Sequence, residues 1–355
     1  MRDIIFLYEN STGFRNNEKN HKTISGNVKI RVFDVVNDLK KYYPELNTYH
    51  YEFRPFFDQK LYKKHSPDEC ILLINKGCFQ ITSGIESLYK AGYVMVSDLI
   101  DCNPPPSSIL DLFTAHISSS IGLHNYLKEN YSKPVYHIIH GYDRHFDRDH
   151  YTLEQSDKLR VTYCGAYDNI NDLDFYVKKG VKWIDSCSWW KKEYYTGDWT
   201  KELPSKEIML MKQRKYGKWV ELVQRYLKPQ TDDWKDKLKY YNCHIGLRKY
   251  DEYAPNKPFT KGFTAAALRS PIVLDRFNID ACYYLPSDYP LFSPIEGEVK
   301  SQSQIITLLQ FVISKYQTPE WNYALECMET LYDKCNSRKI AKRWKTVFEK
   351  VEQLL

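Results

Sequence analysis

The segment Asn256-Lys-Pro-Phe-Thr-Lys261 has the make-up of an anion-binding helix start. Pro258 suits a first helical turn, Thr260 can cap it or donate to a phosphate, and Lys257 and Lys261 flank it. Together with Arg248 and Lys249 they predict a compact cationic site whose helix dipole also favours negative charge, as a departing diphosphate requires. Surface lysines at a solvated helix start share this local sequence, so the elements around it must decide. A second turn with chemical potential is Gly165-Ala-Tyr-Asp168, which follows an apolar run and brings a backbone N–H and Asp168 to a strand end. Neither segment holds an Asp-x-Asp triplet of the kind that clamps a divalent cation on a diphosphate. A metal-independent reaction is expected.

The elements that must position these residues alternate. Apolar runs over 3–8, 48–53, 69–75, 93–97, 115–118 and 135–139 read as strands, with amphipathic helices over 28–43, 85–91, 107–113 and 121–131 between them. The charged stretch 144–158 has little apolar periodicity and is placed at a domain boundary. A second series follows, with strands over 159–164, 183–185, 244–247 and 271–274, helices over 218–226, 234–241 and 260–268, and closing helices after 303. Short strands alternating with helices predict an α/β chain of two Rossmann-like, doubly wound domains facing across a cleft. The expected units are 1–150, 151–325 and a helical segment 326–355. Ligands of such sheets bind beyond the carboxyl ends of the strands, which adds Asn10, Ser11, Thr12, Gly13, Ser83 and Gly84 on the first half to the residues named above.

Composition bounds the reading. With 355 residues, 43% apolar and 27% charged residues and a mean hydropathy of −0.59, the chain is globular in character and holds no apolar run of membrane-spanning length. Nine scattered cysteines without a Cys-x-x-Cys pair predict a reduced, cytoplasmic setting. The net charge of +6 suits anionic ligands but is interleaved with acids, which argues against a nucleic-acid partner. An aromatic-rich stretch around Trp183, Trp189, Trp190, Tyr194, Tyr195 and Trp199 reads as a packed loop or a sugar-stacking wall.

In order and spacing, these segments resemble glycosyltransferases of the GT-B fold. The stretch Ala115-His-Ile-Ser-Ser-Ser-Ile-Gly-Leu-His-Asn-Tyr-Leu with Pro134-Val-Tyr-His-Ile-Ile-His-Gly-Tyr-Asp143 looks like the end of that family's first domain. Lys257-Pro-Phe-Thr-Lys-Gly-Phe-Thr-Ala-Ala-Ala-Leu-Arg-Ser-Pro-Ile-Val273 is similar to its donor-domain Lys-Pro, small-residue helix and Pro-Val-Val segment. On this alignment Asn256 and Thr264 stand where many retaining members carry two glutamates, and Arg269 replaces a glycine.

The resemblance implies transfer of a sugar from a UDP-, GDP-, dTDP- or CMP-sugar co-substrate to a glycan or lipid-linked acceptor hydroxyl, with no tightly bound cofactor. Arg248, Lys257, Thr260, Lys261, Thr264, Asp168 and the backbone at Gly165 are then the donor-side groups. In an inverting reaction a base from the first domain takes the acceptor proton. Asp98 is the preferred candidate, with Asp101 and Glu9 behind it and His140 the histidine best placed at a strand end. The closing helices are expected to return to the first domain. Arg338, Lys339, Lys342, Arg343 and Lys345 give one face a basic character compatible with peripheral contact at a membrane surface. The rival readings are a sugar-nucleotide epimerase of the same fold, which needs paired carboxylates and a histidine in the cleft, and a non-catalytic nucleic-acid or glycan binder.

Overall fold

The computed structural model of the chain describes residues 1–9, 26–58, 61–101, 103–154, 156–186, 233–250 and 254–355. Asn10, Ser11, Thr12, Gly13, the aromatic residues 189–199 and the helix expected over 218–226 lie outside the described residues.

Strands β1 (Asp3–Tyr8), β2 (Thr48–Glu52), β3 (Cys70–Asn75), β4 (Val94–Leu99), β5 (Ala115–Ser118) and β6 (Val135–His137) form one parallel sheet in the order β2-β1-β3-β4-β5-β6. Both faces are buried, so the strands read as unbroken apolar runs rather than alternating ones. Ile4, Phe6, Ile71, Leu73 and Val96 point into one core, and Ile5, Leu7, Cys70, Leu72, Ile74 and Met95 into the other. A second parallel sheet, ordered β10-β9-β7-β8, is built from β7 (Val161–Cys164), β8 (Lys182–Ile184), β9 (Cys243–Ile245) and β10 (Ile272–Val273). In each sheet the first strand has neighbours on both sides, which opens a crevice at its carboxyl end.

The helix expected over 28–43 has a more particular form. A helical turn at Gly26–Val28 widens into a π-helical segment, Lys29–Phe33, before the α-helix Asp34–Tyr42. The wide turn carries Arg31, which is completely buried. Its Nη2 and Nε donate to the two carboxylate oxygens of Asp98 at 2.5 and 3.2 Å, and Nη1 donates to the carbonyls of Ile138 and Ile139 at 3.0 Å. The guanidinium also lies 4.7 Å from the ring centroid of Trp344.

Trp344 belongs to the last helix, Ser337–Glu352, which packs back onto the first sheet. Trp344 and Phe348 meet Phe6, Ser337 Oγ and Tyr42 OH lie 2.9 Å apart, and Glu352 accepts from the backbone N–H of Arg2 at 2.6 Å. Lys345 on this helix is paired with Glu45, while Arg338, Lys339 and Lys342 are exposed. Among the described residues no helix is long and apolar enough to cross a membrane.

Removing Arg31 would strand the Asp98 carboxylate inside the core. Arg31→Met is expected to cost about 3–5 kcal/mol of unfolding free energy, read as a lower urea midpoint, and Arg31→Met with Asp98→Leu to recover part of that loss.

Candidate functional site

The donor-side residues gather at the carboxyl ends of β7 and β9. Gly165 follows β7 under a close approach: a Cβ there would lie 2.9 Å from Tyr163 Oη and 3.2 Å from Lys261 Nζ, and its N–H, expected to face the donor, instead donates to the Ile184 carbonyl at 3.0 Å. Lys261 comes from the first turn of the helix Thr260–Ala267, and its buried ammonium sits 4.0 Å from the centroid of the Tyr163 ring. Beneath it on β9 is His244, buried, with Nε2 making no hydrogen bond among the described residues. Burial and the Lys261 charge push this imidazole down to about 4, so it is neutral. Arg248 follows β9 and faces Asp275, a carboxyl that burial raises and the guanidinium's charge lowers. Arg248 Nε is buried without a hydrogen-bond partner among the described residues. The β7 and β9 turns are tied by the Lys249 N–H donating to the Asn169 carbonyl at 2.9 Å.

The start of the donor-side helix differs from the sequence reading at Thr260. The helix is capped at Phe259, which offers no side-chain oxygen, so Thr260 is its first residue and not its cap. The oxygen comes from Asp280 on the helix Ile279–Tyr284, whose Oδ2 accepts from Phe259 N–H at 3.3 Å. Asp168 is exposed in the short turn Tyr167–Asn169 and Thr264 is half-buried one turn along the helix.

On the first half, Asp98 is not at a strand end. It lies inside β4, paired in register with Asn75 and Ile117, and is fully buried. Arg31 and the Asn75 amide, at 3.1 Å, occupy its carboxylate, so it holds the core together and cannot reach an acceptor. The carboxylate that does reach the cleft is Asp101, two residues beyond β4 and in a left-handed conformation with φ of 47°. Lys76, from the end of β3, donates to its carbonyl at 2.7 Å, and Lys257 of the other half forms an ion pair with its side chain. Lys257 precedes Pro258, which disfavours helical backbone at the lysine and leaves it ahead of the helix start.

His140, after β6, is 6% exposed, and burial together with the charges of Arg31 and Lys76 holds its imidazole well below the usual range. Its Nδ1 has no hydrogen-bond partner among the described residues. Glu9 is paired with Arg54 at 3.2 Å. Ser83 is exposed and Gly84 packs on Phe53, and no hydrogen bond links either to Asp101 or Lys257.

The two halves meet directly beside this site. Asp280 Oδ1 accepts from the N–H of Ile121 at 2.7 Å, capping the helix Ile121–Asn130 of the first half while Oδ2 serves Phe259 of the second. Ser120 Oγ donates to the Asn256 carbonyl at 3.0 Å. At Gly122 a Cβ would fall 2.0 Å from the Pro255 carbonyl oxygen, so only glycine permits this contact. His137 and Tyr284 are hydrogen-bonded across the same seam.

Known structures share this architecture. A glycosyltransferase from Rickettsia africae aligns over 99% of this chain and 98% of its own, with a TM-score of 0.60 and 10% identity. The chain has the GT-B fold. The lipopolysaccharide outer core galactosyltransferase WaaB aligns over 98% of this chain and 99% of its own, with a TM-score of 0.52 and 12% identity. The DNA-modifying β-glucosyltransferase, solved with and without uridine diphosphoglucose, covers 98% of this chain and 99% of its own at a TM-score of 0.52 and 14% identity. Of a longer chain in a GtfA/B complex, this one spans 60%. No protein-family model and no curated protein sequence matches this GT-B chain.

Asp280 and His244 were not among the residues singled out from sequence. Neither has a local signal: one follows an asparagine cap in an ordinary helix start, and the other sits in a short apolar strand.

The seam is expected to be sensitive to pH. Burial pushes Asp280 from its ordinary 3.8 up to about 7, against the two N–H groups that favour its charge. The folded chain therefore holds this proton more tightly than the unfolded one. Its contribution to stability is complete below about pH 4 and is lost as pH rises through 7. Urea unfolding from pH 5 to 8 should show wild-type stability falling by roughly 2–4 kcal/mol more than that of Asp280→Ala.

Proposed function

We propose that this protein is a glycosyltransferase that moves a sugar from a nucleotide-sugar donor to an acceptor hydroxyl in the cleft between its halves. The observation that carries the reading is the buried Lys261 ammonium against the Gly165 turn, at the carboxyl end of the central strand of the second sheet. A buried cation at this strand end, with Arg248 beyond the end of the neighbouring strand β9, is suited to the charge that collects on a departing nucleoside diphosphate. The likeness to a galactosyltransferase and to a β-glucosyltransferase solved with uridine diphosphoglucose supports the same class at the level of fold.

In an inverting reaction, the acceptor oxygen forms its bond to the anomeric carbon as the bond from that carbon to the phosphate oxygen breaks. The electron pair of the broken bond stays on the diphosphate, held by Lys261, Arg248 and Lys257. The acceptor's proton passes to a group of the first half. Asp101 takes that role in place of Asp98, because it stands at the cleft while Asp98 is enclosed. Neutral His140 lies near the same Lys76 and offers an imidazole to the acceptor side. Positive charge from side chains does the work a divalent cation does elsewhere, so turnover is proposed to be indifferent to EDTA.

A thermal-shift series with UDP, GDP, CMP, dTDP and their sugar conjugates tests the donor class, since a ligand bound only by the folded chain raises its melting temperature. One nucleotide is expected to stabilise the wild type, and Lys261→Met to lose that shift while melting within a few degrees of the wild type. Uniform silence from a folded protein would move the reading to a non-catalytic binder. Turnover of a sugar nucleotide without any acceptor would move it to an epimerase.

A further inference from the structure

Lys257 and Asp101 approach from opposite halves, and theirs is the ion pair that closes the cleft beside the donor site. Lys257 opens the donor loop, and Asp101 is the carboxylate the first half presents there. Their side chains keep 25% and 33% exposure, and Lys76, at 34%, lies 3.9 Å from the second carboxylate oxygen. The pair is thus partly exposed, although Asp101 Oδ1 itself is covered, whereas Arg31 and Asp98 are sealed. A partly exposed ion pair is worth only a few-fold in an equilibrium constant. A diphosphate brings more charge and several more oxygens to the same ammonium.

We propose that Asp101 and the donor's diphosphate compete for Lys257, so that donor arrival frees the Asp101 carboxylate to face the acceptor. The inference rests on the sugar-nucleotide reading above and adds a competition for one lysine to it. While Lys257 is on Asp101, one oxygen of the carboxylate is taken and an acceptor hydroxyl cannot use it. When phosphate oxygens claim Lys257, the carboxylate is released but does not drift, because Lys76 still holds the Asp101 carbonyl at 2.7 Å. Departure of the nucleoside diphosphate lets the pair re-form and closes the acceptor side again.

Lys261 does not take part in this exchange, because its ammonium is buried against Tyr163 and is committed to the donor side throughout. The two lysines of the loop thus divide the task. One is a fixed electrostatic floor and the other a movable contact between the substrates.

The test is calorimetric titration of UDP, GDP, CMP and dTDP, with inorganic pyrophosphate as a base-free probe, into wild type, Asp101→Asn, Lys257→Met and the double variant. Thermal melts without nucleotide establish that each is folded. Asp101→Asn removes the competing charge and is expected to tighten binding about two- to fivefold. Lys257→Met is expected to weaken it, and the double variant to bind no better than Lys257→Met, because the effect of Asp101 runs through that lysine. Equal or weaker binding by Asp101→Asn, in a protein whose wild type binds, overturns the competition and leaves the donor reading standing. Tightening that persists in the Lys257→Met background overturns it as well. Absence of binding by all four proteins overturns both readings together.

Discussion

The buried ion pair of Arg31 and Asp98 is the constraint on which the first half is organised. One guanidinium joins the π-helical turn, the fourth strand, the chain leaving the sixth strand and the final helix. All five of its donors face protein, and three of its nitrogens have named acceptors at hydrogen-bond distance. An apolar residue of the same size could fill this volume. It could not hold the Ile138 and Ile139 carbonyls, which the chain exposes as it turns from β6 towards His140. The polar pair specifies a geometry that hydrophobic packing alone would leave loose.

That geometry reaches the cleft. Asn75 and Asp98 stand side by side on β3 and β4, and the chain continues from them to Lys76 and to Asp101. Arg31 is also one of the charges that keep His140 neutral. The second half reaches the same place by a different route, through Asp280 at two helix starts and through the contact of Gly122 with Pro255. The hydrophobic core continues from one half to the other, taking in Phe6 and Trp344 as well as Phe263 and Tyr284. The cleft residues are therefore set on two sheets joined by these contacts, with Lys257 and Asp101 meeting between them on partly exposed side chains.

Much of the architecture was legible because parallel strands buried on both faces write themselves as short apolar runs. The runs at 3–8, 69–75 and 115–118 correspond closely to β1, β3 and β5, and the Ser120 cap and the donor helix at Thr260 stand where the local sequence put them. Asp98 was misread for a physical reason. A charged residue at the end of an apolar run looks like a turn, and nothing nearby announces that a buried arginine 67 positions earlier will pay its desolvation. The same distance in sequence hides Asp280, which caps a helix 159 residues away. Lys257 and Lys261 were visible as a pair, but their division into a partly exposed and a buried ammonium depends on the Tyr163 ring and on Asp101, which only the fold brings to them.

The closing helix gives this chain a timetable. Phe6 lies on β1, and the rings that cover it, Trp344 and Phe348, follow both sheets in the sequence. Until they arrive, the core face of β1 and the side of Arg31 that Trp344 covers lack their lid. The first sheet thus cannot reach its final packing while the second is still being made, although its six strands precede it. Contacts of such long sequence separation slow folding and prolong the exposure of apolar surface. The halves are successive in sequence, yet the packing of the first is completed only by a helix that follows the second.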